Sequence, residues 1–174
     1  MAVVTVFGGS HVKPDSVEYE PANELGKKLA GAGYTICNGG QGGVMEATAH
    51  GAKESGGKTI GVTAEEIGSN VNPWIEQHIV VSKWRDRLFK LIETGDAYII
   101  FDGATGTLVE LFVVWEMLNK KLIQKPFIIF GHSMGDFVHQ VQKMPHILNS
   151  NNLFFAQTAD ETLRLLKEKS HVSA

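Results

Sequence analysis

Short apolar runs alternate along the chain with stretches of helical spacing. Ala2–Phe7 is rich in Val and Thr, is stopped by Gly8-Gly9-Ser10, and reads as a buried strand. Ala22, Leu25, Leu29 and Ala32 recur at helical spacing, and Gly31-Ala32-Gly33 ends that helix before a strand at Tyr34–Cys37. The turn Asn38–Gly43 leads into a helix through Val44, Met45, Ala47, Thr48 and Ala52, followed by a strand at Thr59–Val62. Ala64–Gln77 carries neither period and is expected to be a loop with a short helical turn. His78–Val81 is a strand, and Trp84, Leu88, Leu91 and Ile92 mark a helix. The strand Asp96–Phe101 turns at Asp102–Gly106 into a helix running to about Asn119. Pro126–Phe130 is a strand, Asp136–Lys143 a helix and Leu153–Ala156 a strand. Thr158-Ala159-Asp160-Glu161 caps a terminal helix that carries Leu163 and Leu166.

Strands that alternate with helices in this way require right-handed βαβ crossovers. The strands read as continuous apolar runs, which is the pattern of strands covered on both faces. The expected fold is α/β: a single doubly wound, Rossmann-like, mostly parallel sheet with helices on both faces, formed by one domain over residues 1–174. Composition narrows the function. The formal net charge of −3 disfavours a nucleic-acid surface. No apolar run reaches the roughly 18–20 residues of a membrane span. Met1–Thr5 runs into a strand pattern and lacks the basic start of a signal peptide. The lone Cys37 excludes a disulfide framework within the chain and a cysteine zinc cage, and favours a reducing cytoplasm. His11, His50, His78, His132, His139, His146 and His171 are scattered without metal-ligand spacing. No metal and no cofactor are expected.

The 19 glycines exceed the usual share of roughly 7%, and they gather at strand ends. Three turns carry them: Gly8-Gly9-Ser10; Gly39, Gly40, Gly42 and Gly43, with Met45 just beyond; and Gly103, Thr105, Gly106 and Thr107. Any one such turn can be a tight strand-to-helix connection. Three at the same edge of a parallel sheet point to a crevice for a phosphorylated ligand, because helix N-termini there offer free N–H groups. Neither G-x-G-x-x-G nor G-x-x-x-x-G-K-[ST] occurs, which disfavours dinucleotide dehydrogenases and P-loop proteins. The helix Leu108–Trp115 is apolar nearly all round, yet holds Glu110 on the side of Val113, Val114 and Met117. That carboxylate fits either a complement to the helix dipole or a group facing the crevice. An all-round apolar helix must meet the sheet on one face, and on the other a second subunit, so a homodimer is expected. Arg87 lies on the flank of the face made by Trp84, Leu88 and Leu91, placed either to reach an anion or to stay solvated. Gly131-His132-Ser133-Met134-Gly135 has the outline of a nucleophile elbow, but Asp136, His139 and His146 sit too near Ser133 in sequence for the usual triad order.

These residues resemble the LOG family of phosphoribohydrolases, formerly described as lysine decarboxylase-like. The family's P-G-G-x-G-T-x-x-E is similar to Asp102-Gly103-Ala104-Thr105-Gly106-Thr107-Leu108-Val109-Glu110, and its G-G-G-x-x-G-x-M to Asn38–Met45. Its M-H-x-R-K segment looks like Trp84–Leu88. The resemblance implies hydrolysis of the N-glycosidic bond of a nucleoside 5′-monophosphate, with Glu110 and Arg87 catalytic. The turns at Gly40–Gly43 and Gly103–Thr107 would then position the phosphate, with no metal. The chain departs from the family at Asn38 and Ala104, where the family has glycine, at Asp102 for proline, at Arg85 for histidine and at Leu88 for lysine. The related molybdenum-cofactor carrier proteins share this fold and bind a phosphorylated pterin without catalysis, which is the alternative. The expected partners are thus a small phosphorylated nucleotide or pterin and a second copy of the chain, with no nucleic acid and no membrane.

Overall fold

The computed structural model describes residues 2–170. Seven strands form one sheet: β1 Val3–Phe7, β2 Thr35–Asn38, β3 Thr59–Ala64, β4 Gln77–Val81, β5 Ala97–Ile100, β6 Phe127–Phe130 and β7 Leu153–Ala156. Six helices connect or follow them: α1 Tyr19–Gly31, α2 Val44–Glu54, α3 Trp84–Thr94, α4 Thr105–Asn119, α5 His132–Gln142 and α6 Ala159–Ser170. The strand order is β4-β3-β2-β1-β5-β6-β7, and every strand pair is parallel. Winding runs outward from β1 to β4, then crosses back through α3 to place β5 on the other side of β1. The switch point, where such a sheet opens a crevice, therefore lies between β1 and β5.

Period-2 alternation sends successive strand side chains to opposite layers. Val4, Val6, Ile36, Ile99 and Ile128 pack with Leu25 and Leu29 of α1, Ala47 of α2 and Leu166 of α6. Phe7, Cys37, Tyr98, Ile100 and Ile129 pack with Leu91 of α3, Leu111 and Trp115 of α4 and Val138 of α5. Polar side chains pin the second layer: Thr5 Oγ1 donates to the Leu91 carbonyl at 3.0 Å, and the Tyr98 hydroxyl to that of Ile92 at 2.8 Å. Among the described residues no helix is long and apolar enough to cross a membrane.

One stretch differs from the expectation, and the loop with its short helical turn is present as expected. α5 begins at His132, not Asp136, because Gly131 at φ +90° turns the chain out of β6 directly into the helix. Met134 and Val138, four apart, then form its buried face. In 64–77, β3 runs on to Ala64, a 3₁₀ turn covers Glu65–Ile67, and the rest is held by side chains. Thr59 Oγ1 donates to the Trp74 carbonyl at 2.6 Å and accepts from the Glu76 N–H at 2.9 Å, while the Trp74 ring stacks on His50 with centroids 4.0 Å apart.

Candidate functional site

The three glycine turns converge at the carboxyl edge of the sheet. The Gly9 N–H donates to the Asp102 carbonyl at 2.9 Å, and the Gly9 carbonyl accepts from Val44 N–H at 3.0 Å. One residue thus ties the β1 turn to both the β5 turn and the start of α2. Gly43, at φ +70°, presses so closely on Gly9 that a Cβ would overlap the Gly9 carbonyl oxygen. Gly8, Gly9, Gly39, Gly40, Gly43 and Met45 are buried, while Gly42 and Gly103 are half-open. Ser10, Thr105 and Gly106 are exposed, and Thr107 is buried with its hydroxyl against Gly103. The first turn of α4 accordingly presents Thr105 and Gly106 to solvent at the switch point.

Asn38 and Asn72 hold the middle turn, and neither stood out in the sequence as a functional residue. The Asn38 carboxamide, wholly buried, accepts from the Gly40 N–H at 2.8 Å and donates to the Met45 carbonyl at 2.8 Å. Asn38 stands where the resemblance has a glycine, and its side chain braces the turn from within. Asn72, in the unperiodic stretch, donates through its side chain to the Gly40 and Gln41 carbonyls at 3.1 and 2.8 Å and through its backbone to Gly40 at 2.7 Å. An Asn between Val and Pro was the one available signal, since such residues favour turns.

Arg87 is carried inward by α3 and is 8% exposed, so it is not a solvated helix charge. Its Nε donates to the Val62 carbonyl at 2.8 Å and its Nη2 to the Gly39 carbonyl at 3.3 Å. These occupy two of the five guanidinium N–H groups. A Cβ on Gly39 would collide with the guanidinium, so that glycine makes room for the arginine. Glu110, half-buried on α4, is the nearby opposite charge that supports Arg87. Burial pushes the Glu110 carboxyl up to about 7, and Arg87 opposes that rise. Burial in turn lowers the Arg87 pKa, and Glu110 raises it. A carboxyl held near neutrality next to a fixed cation can exchange a proton at ordinary pH.

The remaining departures are structurally mild. Ala104 caps α4 with φ −86° and ψ −167°, extended backbone that needs no glycine. The Asp102 side chain is exposed. Arg85 points outward, paired with Asp86 at 3.4 Å, while Leu88 joins the core. Ser133 sits exposed on the first turn of α5, and His139 stacks on Phe155 with centroids 4.1 Å apart. Cys37 is buried, and burial pushes its thiol up to about 12, which makes it a poor nucleophile. Among the described residues no group of three or more His, Cys, Asp or Glu side chains gathers as metal ligands would.

Comparison with known proteins bears on this arrangement. The cytokinin riboside 5′-monophosphate phosphoribohydrolase of Mycobacterium tuberculosis is 33% identical over 122 residues, which cover 67% of this chain and 65% of that protein. The X-ray structure of the structural-genomics target TM1055 superposes with a TM-score of 0.79 at 25% identity, covering 97% of this chain and 99% of that one. The molybdenum cofactor binding protein of Rippkaea orientalis superposes with a TM-score of 0.76 at 24% identity, over 96% of each chain, a likeness of fold. The profile of the SLOG cluster4 family matches residues 1–162. The chain belongs to the SLOG cluster4 family.

Proposed function

We propose that this crevice hydrolyses the N-glycosidic bond of a nucleoside 5′-monophosphate, releasing free base and ribose 5-phosphate. The observation that carries the reading is that buried Arg87 and Glu110, whose carboxyl is pushed up to about 7, lie close enough to act on each other's charge beside the glycine turns at the β1/β5 switch point. As the bond from ribose C1′ to the base nitrogen lengthens, positive charge develops on the sugar. An ionised Glu110 stabilises that charge and takes a proton from the attacking water, whose oxygen bonds to C1′. The base departs with the bonding electron pair and gains a proton from solvent, or the one Glu110 has taken from the water, and Glu110 ends the turnover ionised as it began. Arg87 uses its remaining N–H groups on phosphate or on the leaving base, and the exposed start of α4 receives phosphate through backbone N–H groups.

The test is incubation of the purified protein with AMP, GMP, CMP and UMP, with free base separated by chromatography. Base released by the wild-type chain, and lost in Glu110→Gln, is the expected result. The second reading is non-catalytic binding of a phosphorylated pterin, favoured by the chain-long likeness to the Rippkaea cofactor-binding protein. Binding without base release across the panel decides for it.

The same reading includes a homodimer built on α4. Its outer face exposes Val109 and Phe112, with Phe137 of α5 edge-on to Phe112 at 6.3 Å. Light scattering is expected to give twice the chain mass for the wild type and the single mass for Phe112→Glu, which places a charge in the contact.

A further inference from the structure

A second cleft, of about 490 Å³, opens at the same sheet edge but on the opposite face from Arg87 and Glu110. Its apolar lining includes Phe101 and Phe130, stacked with ring centroids 4.2 Å apart, together with Val44 and Pro21. Phe101, Phe130 and Val44 pack in the α1, α2 and α6 layer, whereas Arg87 and Glu110 stand on the helices of the other layer. The backbone ridge where Gly9 meets Asp102 and Gly103 lies between them. A Cβ on Gly9 would stand only 3.1 Å from the Gly103 Cα.

The polar groups of this cleft are mixed. The lining holds His11 and Lys13 as well as Glu18 and Asp102, so the cleft offers both donors and acceptors. Ser16 Oγ is shielded from solvent and, among the described residues, has no hydrogen-bond partner. Ser16 lines the cleft, so a turn about its Cα–Cβ bond brings this unpartnered hydroxyl to a group entering there. The volume lies within the range of small-molecule sites, and an apolar body with a few converging polar groups is their usual composition. A permanently charged ligand gains little from this mixed lining. A ring with an apolar face and an edge of alternating donors and acceptors matches both parts.

We propose that this cleft binds an uncharged heteroaromatic ring of purine size, the class to which free nucleobases belong, separately from the Arg87–Glu110 crevice. The proposal rests on the cleft alone and stands whether or not the crevice hydrolyses nucleotides. The test is calorimetric titration with adenine, guanine and hypoxanthine, with benzoate as a charged ring of similar shape. Ser16→Leu fills the cleft and is expected to weaken base binding at least about tenfold. Ser16→Ala removes only the hydroxyl, preserves the fold, and is expected to weaken it about fivefold. Glu110→Gln, in the other crevice, is expected to leave the affinity within about twofold. Base binding that survives both Ser16 variants and disappears in Glu110→Gln overturns the proposal, because the ring then sits in the crevice. Absence of binding by all three bases at millimolar concentration also overturns it, as does tighter binding of benzoate.

Discussion

At the scale of single residues, the cost of the candidate site is concentrated in Glu110. Its carboxyl is held at about 7, above the ordinary 4.5, because burial outweighs the pull of Arg87. The native state therefore binds a proton more readily than the unfolded chain. The penalty is absent below about pH 4.5 and grows to its full value as pH rises through about 7. Glu110→Gln removes the charge and is expected to raise stability by about 1–3 kcal/mol at pH 8, with little gain at pH 4, as measured by denaturant unfolding at both. Arg87→Gln removes the group that lowers this pKa, so a ¹³C-carboxyl NMR titration is expected to place the Glu110 midpoint above the wild-type value. Asn38 teaches a different lesson. By pattern it is a lapse from a glycine run, but its carboxamide ties Gly40 to Met45 inside the protein. Asn38→Gly restores the family pattern and is nevertheless expected to cost about 1–3 kcal/mol in urea unfolding, since it leaves the buried Gly40 N–H unpaired. A sequence displays residue types, whereas this role depends on a turn folding back over its own side chain.

Among the elements, the turns separate glycines that the fold requires from those it does not. Gly43 has φ +70° and no room for a Cβ against Gly9, so Gly43→Ala is expected to destabilise strongly. Gly106 stands in the first turn of α4, and nothing within 4 Å would meet its Cβ. Gly106→Ala is therefore expected to raise the thermal midpoint by a few degrees, corresponding to about 0.5–1 kcal/mol. If Gly106 exists for close approach of a ligand, the same change weakens nucleotide binding, and one titration beside one melt checks both. The positions of most elements were legible because their apolar spacing is local. The start of α5 was hidden by the Gly131–Gly135 pair, which resembles a turn although only Gly131 has a positive φ. The stretch 64–77 has no period to read, because its order comes from Asn72 and Thr59 bonding to distant backbone.

For the whole molecule, alternating strands and helices implied a doubly wound parallel sheet, and the sheet is parallel throughout. The gathering of three turns at one edge follows from that topology and was legible with it. The pairing of Arg87 with carbonyls on two other segments was not, since it depends on the path of α3 across the sheet. Arg87 sits on the one crossover that reverses the winding, between β4 and β5, and it bonds to Gly39 at the end of β2 and to Val62 in β3. Glu110 arrives from beyond β5, on a segment that has no place until the crossover is made. Loop closure of that length is slow compared with forming a single strand–helix unit. Arg87 and Glu110 thus come together only across the one reversal in the topology, so a chain that has formed β1 to β4 alone holds the arginine without its carboxylate. In refolding, recovery of ligand binding is expected to mark the docking of β5 and α4 beyond β1.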